Sequence, residues 1–143
     1  MTDAKTKSII VERVMPHPPE KIWRALTQAP MIAEWLMKND FKPVVGHRFT
    51  FTYTPMPGWK GYTNCEVLEV VEPKKLVYRW GDGTESDSGL STIVTWTLTP
   101  QANGTLVRME QAGFRPADEN GRNAMSGGWP GMLEKLQAVA AKA

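Results

Sequence analysis

Apolar side chains along this chain change their spacing twice, and the changes mark the elements. Ser8–Val14 (SIIVERV) is β-branched and predicts a first strand, which Met15-Pro-His-Pro-Pro stops because proline cannot donate to a ladder. Pro19 suits the first residue of a helix, and Glu20–Leu26 places Ile22, Trp23 and Leu26 on one face. Gln28-Ala-Pro breaks that helix, and Pro30 starts a second over Met31–Met37 that presents Ile32, Trp35 and Leu36. From Gly46 the period becomes two: Phe49, Phe51 and Tyr53 alternate with Arg48, Thr50, Thr52 and Thr54.

The same alternation returns in Leu76–Trp80, in Ser91–Thr99 with Val94, Trp96 and Leu98, and in Thr105–Gln111 with Val107, Met109 and Gln111. Tyr62–Val71 reads as a strand whose alternation is imperfect, so its buried face stays open. Pro55–Gly61, Glu72–Lys75 and Gly81–Gly89 are turn or loop segments, and Ala102-Asn-Gly is a tight-turn signal. Beyond Gly113 the spacing is helical again. A short helix over Ala117–Ser126 is expected to stop at Gly127-Gly128. Pro130 then opens a last helix whose stripe is Trp129, Met132, Leu133, Leu136 and Ala140.

Strand, two short helices, five antiparallel strands and a long amphipathic helix make an α+β class rather than a βαβ one. The expected architecture is a curved antiparallel sheet of about six strands gripping the C-terminal helix, with a cavity between them, in one domain over residues 1–143. A chain of this length buries roughly 68–70% of its unfolded surface, enough for a core without disulfides. The formal net charge of +2, with Lys and Arg scattered, argues against a nucleic-acid partner. Cys65 has no partner for an internal bridge, no apolar leader is visible at the N-terminus, and no run approaches a membrane span; a cytoplasmic protein is expected.

Reactive groups are few. His17, His47 and Cys65 share no metal-ligand spacing, no Gly-x-Ser-x-Gly elbow is present, and neither Gly81-Asp-Gly nor Gly127-Gly sits in a phosphate-cradling context. No metal, no cofactor and no catalytic residue is therefore predicted. Glu12, Glu66 and Glu69 read as a solvated sheet face, and Asp82, Glu85 and Asp87 as a solvated hairpin tip. Six tryptophans are spread over nearly every element. Trp35, Met37, Phe51, Tyr53, Trp80, Trp96, Met109, Met125, Trp129 and Leu133 fall where an inward surface is expected, with Gln111 as a polar anchor among them. Packing as core and lining a cavity both fit this set. Large rings that leave irregular gaps, with methionine to adapt to them, favour the cavity. Trp23 reads as a helix-packing residue and Trp59 as a loop residue.

Several phrases carry a resemblance: Val11-Glu-Arg with Pro18–Leu26 (PPEKIWRAL), Glu34–Phe41 (EWLMKNDF), Val45–Phe49, Glu66–Pro73, Leu76–Trp80, Ser91–Leu98, Gly113-Phe and Gly128-Trp-Pro. Over about residues 8–140 they resemble the helix-grip fold of the START-like superfamily, and within it the bacterial branch named for the activator of the heat-shock-protein-90 ATPase. The resemblance implies an apolar or aromatic small molecule in the cavity. It also implies, as alternatives, a cyclase or hydrolase using that cavity, or a stress-related chaperone partner. Where the resemblance leads us to expect a histidine before the Gly-Phe pair, this chain has Gln111, whose neutral amide cannot act as a general base near pH 7. The expected function is small-molecule binding by a monomer or weak homodimer.

Overall fold

The computed structural model describes residues 6–84 and 89–143; the leader reading of the first residues and the hairpin-tip reading of Glu85 and Asp87 fall outside them. The elements are β1 (Lys7–Met15), α1 (Pro19–Thr27), α2 (Ala29–Trp35), β2 (Lys38–Asn39), β3 (Arg48–Thr52), β4 (Tyr62–Val71), β5 (Lys75–Trp80), β6 (Thr92–Gln101), β7 (Gly104–Phe114) and α3 (Glu119–Ala141). The strands form one seven-stranded antiparallel sheet in the order β1-β7-β6-β5-β4-β3-β2. α3 lies against one face of this sheet, beside β1, α1 and α2.

Alternation divides the sheet into two surfaces. Phe49 and Phe51, Thr63, Cys65 and Val67, Leu76, Tyr78 and Trp80, Val94, Trp96 and Leu98, and Val107, Met109 and Gln111 are all buried on the inner side. The outer side carries Glu12–Arg108 (3.7 Å), Arg108–Glu110 (3.5 Å), Arg79–Glu66 (2.7 Å) and Lys75–Glu69 (3.4 Å). Exposed pairs of this kind are each worth about 0–1 kcal/mol, so the outer ladder keeps the face wet more than it holds the fold. Glu12, Glu66 and Glu69 lie where the solvated-face reading put them.

The irregular alternation of β4 has a local cause. Register against β5 shifts between Val67 and Glu69, so Leu68 is the extra residue of a β-bulge. Thr63, Cys65 and Val67 point inward before the bulge, and Val70 rejoins the core after it. β6 and β7 meet at a two-residue turn in which Gly104 pairs with Gln101. Gly104 has φ +154°, and a Cβ there would run into the Met15 carbonyl.

Three expectations are corrected. A short strand, β2, precedes β3 and places the buried Phe41 against Phe49, with ring centroids 4.9 Å apart. β3 ends at Thr52, one residue short of Tyr53. The last two helical segments are one helix of 23 residues that passes through Gly127, Gly128 and Pro130 without a break. Propensity alone penalises this by about 1 kcal/mol per glycine and about 3 for proline. Burial of Trp129, Leu133, Leu136, Val139 and Ala140 outweighs it, since each large apolar side chain buried contributes about 1.5–3 kcal/mol. The Ser126 carbonyl, deprived of its donor by Pro130, belongs to an exposed residue that water can reach.

The glycines leave a measurable signature. A Cβ at Gly127 or Gly128 would meet nothing within 4 Å, and neither has a positive φ. The double variant Gly127→Ala/Gly128→Ala is therefore expected to gain about 1–2 kcal/mol of stability. It would be seen as a higher urea midpoint at unchanged slope.

Candidate ligand site between the sheet and the C-terminal helix

Strand register brings the large rings together. In β4–β6, Cys65 faces Trp80 and Trp80 faces Thr92, while one row over Val67, Tyr78, Val94 and Gln111 lie side by side. Trp96 and Met109 form the next row. α3 lowers Trp129 and Leu133 onto this surface, both buried. The result is a continuous aromatic layer: Trp35–Trp96 at 5.6 Å, Trp96–Trp129 at 5.9 Å, Trp129–Trp80 at 5.8 Å and Trp80–Phe51 at 5.0 Å between ring centroids. The first three are edge-to-face contacts, each worth about 0.5–1.5 kcal/mol beyond area burial.

A polar chain crosses the layer. The Trp129 indole N–H donates to Gln111 Oε1 (2.9 Å), Gln111 Nε2 donates to Thr92 Oγ1 (3.0 Å), and Thr92 Oγ1 donates to the Trp80 carbonyl (3.1 Å). Gln111 is fully buried, so these bonds settle both ends of an amide that would otherwise be costly inside. Trp96 Nε1 donates to Tyr78 Oη (3.0 Å), and Trp35 Nε1 to the Ala25 carbonyl (2.8 Å). Burial pushes the Tyr78 phenol well above its ordinary pKa, so it stays protonated at neutral pH. Trp80 Nε1 is the exception. It is buried and has no hydrogen-bond partner among the described residues, a condition that costs about 1–3 kcal/mol.

Of the residues expected at this surface, Trp35, Phe51, Trp80, Trp96, Met109, Gln111, Trp129 and Leu133 are buried together. Met37 and Met125 are half-buried and pack at the margin of the core. Tyr53 does not join them: it is 67% exposed, because the ladder ends before it and the chain turns away into the β3–β4 loop. The cavity expected between sheet and helix is filled by the rings themselves, whose close edge-to-face spacing leaves the layer packed. Two surface clefts lie elsewhere. One, of about 300 Å³, is lined by Pro16–Pro19, Pro100, Gln101, Asn103 and Gly104; the other, of about 330 Å³, by Lys7, Phe114, Arg115, Pro116 and Glu119.

Tyr78, Thr92 and Phe41 belong to the layer and were not among the expected residues. Thr92 was within reach of the pattern, since stepping back by two from Val94 continues the inward face of β6. Tyr78 had the same signal between Leu76 and Trp80. Phe41 had none, because a two-residue strand carries no period.

The remaining reactive groups do not converge. Cys65 is a buried thiol on the inner face that donates to the Thr63 carbonyl (3.7 Å), and His47 Nε2 lies 2.9 Å from the Asp40 carbonyl, fixing the approach to β3. Ser126 lies within α3. Among the described residues no three His, Cys, Asp or Glu side chains converge as metal ligands would, and no helix is long and apolar enough to cross a membrane.

A curved antiparallel sheet closed over a long C-terminal helix, with two short helices after the first strand, is the helix-grip class of the START-like superfamily. Residues 16–141 match the family model described as activator of Hsp90 ATPase homolog 1-like protein, and the chain belongs to that family. Among solved structures it is similar to protein MLL2253 from Mesorhizobium loti: 47% identity over 96% of this chain and 98% of that one, TM-score 0.86. Protein BH1534 from Bacillus halodurans is 26% identical over 94% and 96% of the two chains, TM-score 0.76. DynU16, a protein of the dynemicin biosynthetic locus, shares the fold at 21% identity, TM-score 0.74, over 96% of this chain and 47% of that one. No curated protein matches the chain.

Two outcomes follow from this geometry. Gln111→Leu orphans the Trp129 indole N–H and is expected to cost about 2–3 kcal/mol in urea unfolding. Tyr78 acts in alkali. The folded state keeps the phenol proton above about pH 10, where the unfolded chain releases it, so stability falls as pH rises past that value. Tyr78→Phe is expected to flatten that decline between about pH 9 and 11, while losing about 1–3 kcal/mol at neutral pH because Trp96 N–H loses its acceptor.

Proposed function

We propose that this protein binds an apolar or aromatic small molecule between the sheet and α3, among Phe51, Trp80, Trp96 and Trp129. The observation that carries the reading is the polar chain Trp129–Gln111–Thr92, buried inside an aromatic layer beneath α3. Apolar pockets hold their ligands with a few fixed polar groups among large rings, and this layer has that composition. All of its hydrogen-bonding side chains are neutral near pH 7: an amide, hydroxyls and indoles. Such groups orient a ligand; they do not exchange protons with it, which favours binding over acid–base catalysis.

Access is proposed to come from α3. No described residue from Glu119 to Gly128 is buried, and Gly121, Gly127, Gly128 and Gly131 surround Pro130 there. The first half is held at its start by an exposed Lys7–Glu119 pair (3.6 Å). The other end carries the buried stripe, a Lys142–Glu34 pair (2.8 Å) and a Lys21 bond to the Ala141 carbonyl (3.3 Å). Lifting the first half exposes the rings without unseating the second. The opening cost lowers apparent affinity by the fraction of molecules open.

Titration with a neutral ring such as 1-aminoanthracene is expected to quench tryptophan fluorescence saturably, with a Kd on the order of 1–10 μM. Gly127→Ala/Gly128→Ala, which stiffens the roof, is expected to slow association several-fold in stopped flow. Failure of the wild-type protein to show saturable quenching would sink the reading.

A further inference from the structure

Within this aromatic layer the chain supplies an acceptor to the indoles of Trp35, Trp96 and Trp129, and leaves Trp80 without one. Trp80 is 5% exposed and closes β5, next to Gly81 at the sheet end that carries the β3–β4 and β5–β6 loops. Its ring touches Phe51 in a tilted contact (5.0 Å, 32°) and Trp129 in an edge contact (5.8 Å, 66°), so a flat partner enters by parting these rings. Its main-chain carbonyl receives Thr92 Oγ1 at 3.1 Å, which ties the Trp80 backbone to the buried polar chain. A buried N–H packed against aromatic rings is a donor without an acceptor.

We propose that Trp80 Nε1 is the anchoring donor for the bound ligand, and that the ligand is a neutral aromatic carbonyl compound. This rests on the binding reading above and adds its chemistry. Indole N–H only donates, so the ligand must bring an acceptor. Charge is disfavoured, because the neighbouring side chains on the inner face are Phe51, Cys65, Thr92 and Trp129, none of them a cation or carboxylate, and an unpaired ion there would be left desolvated. A flat ring system suits the ring contacts it must replace, edge-to-face with Trp129 and tilted with Phe51. Together these specify a ring ketone or quinone-type carbonyl, with its oxygen on Trp80 and its rings against Phe51 and Trp129.

The matched pair fluorene and 9-fluorenone differs only by that carbonyl. Calorimetric titration of the wild-type protein is expected to favour fluorenone by about tenfold, the selectivity of one buried hydrogen bond. In Trp80→Phe, which keeps a ring and removes the donor, the ratio is expected to fall to about one. In a ¹⁵N-labelled sample, the indole proton signal that disappears in Trp80→Phe is expected to move downfield with fluorenone and not with fluorene. Retention of the other indole signals in the variant, with Trp35, remote from Trp80, unmoved, certifies its fold. If both rings bind but the ratio survives in Trp80→Phe, or that signal stays in place, the anchor is refuted while binding stands. If neither ring binds wild-type protein, the site itself is refuted, and the anchor with it.

Discussion

The buried hydrogen-bond chain from Trp129 through Gln111 and Thr92 to the Trp80 carbonyl joins the helix to the sheet, and much else depends on it. It requires β6 and β7 in one register, with Gln111 beside Val94 and Thr92 beside Trp80. A slip by one residue would turn Gln111 outward and leave the Trp129 indole N–H without an acceptor. The same bond fixes where α3 begins to matter. Trp129 is the first fully buried residue of that helix, and before it only Met125 packs against the core, at its margin.

The two faces of the sheet do different work. Outside, carboxylates and guanidinium or ammonium groups alternate across neighbouring strands, as in Glu12–Arg108 and Glu66–Arg79. Water screens these pairs, and they keep a broad β surface from meeting another. Inside, the contributions come from area and ring geometry. Arg13 marks the border: its Nε donates to Gln137 Oε1 at 2.6 Å, linking β1 to α3 at the edge where the aromatic layer ends. Stability is thus concentrated on the side that also carries the candidate site. A ligand there competes with the contacts that fold the protein.

Much of this could be read in the residue pattern, and the failures have physical causes. Period-two alternation marks the inner faces of β5, β6 and β7, and so brings Trp80, Trp96, Met109 and Gln111 to one surface. Periodicity says which way a side chain points only while the ladder lasts, so Tyr53 was carried one residue too far. In β4 the bulge at Leu68 shifted the phase, and no count of apolar residues reveals a bulge. Gly127, Gly128 and Pro130 signalled a break because propensity is local, whereas the burial that holds α3 together comes from residues across the fold. Whether rings line a space or fill it was not in the pattern at all. That depends on how far the helix settles toward the sheet, which side-chain sizes along one chain do not state.

The packed layer sets what can occupy it. Parting Trp80 from Trp129 and Phe51 forfeits contacts that an aliphatic chain would replace poorly, because ring–ring attraction, edge-to-face with Trp129 and tilted with Phe51, needs a ring on both sides. Affinity here is a difference between the layer open with ligand and the layer closed on itself, so only the surplus appears as binding. An aromatic guest restores the ring contacts, and an acceptor atom adds one that the closed state lacks, since Trp80 Nε1 is unpaired when the layer is shut. The unpaired donor therefore raises the closed state relative to the occupied one. In the proposed binding mode it biases a self-packed core toward a guest that carries an oxygen where the indole points.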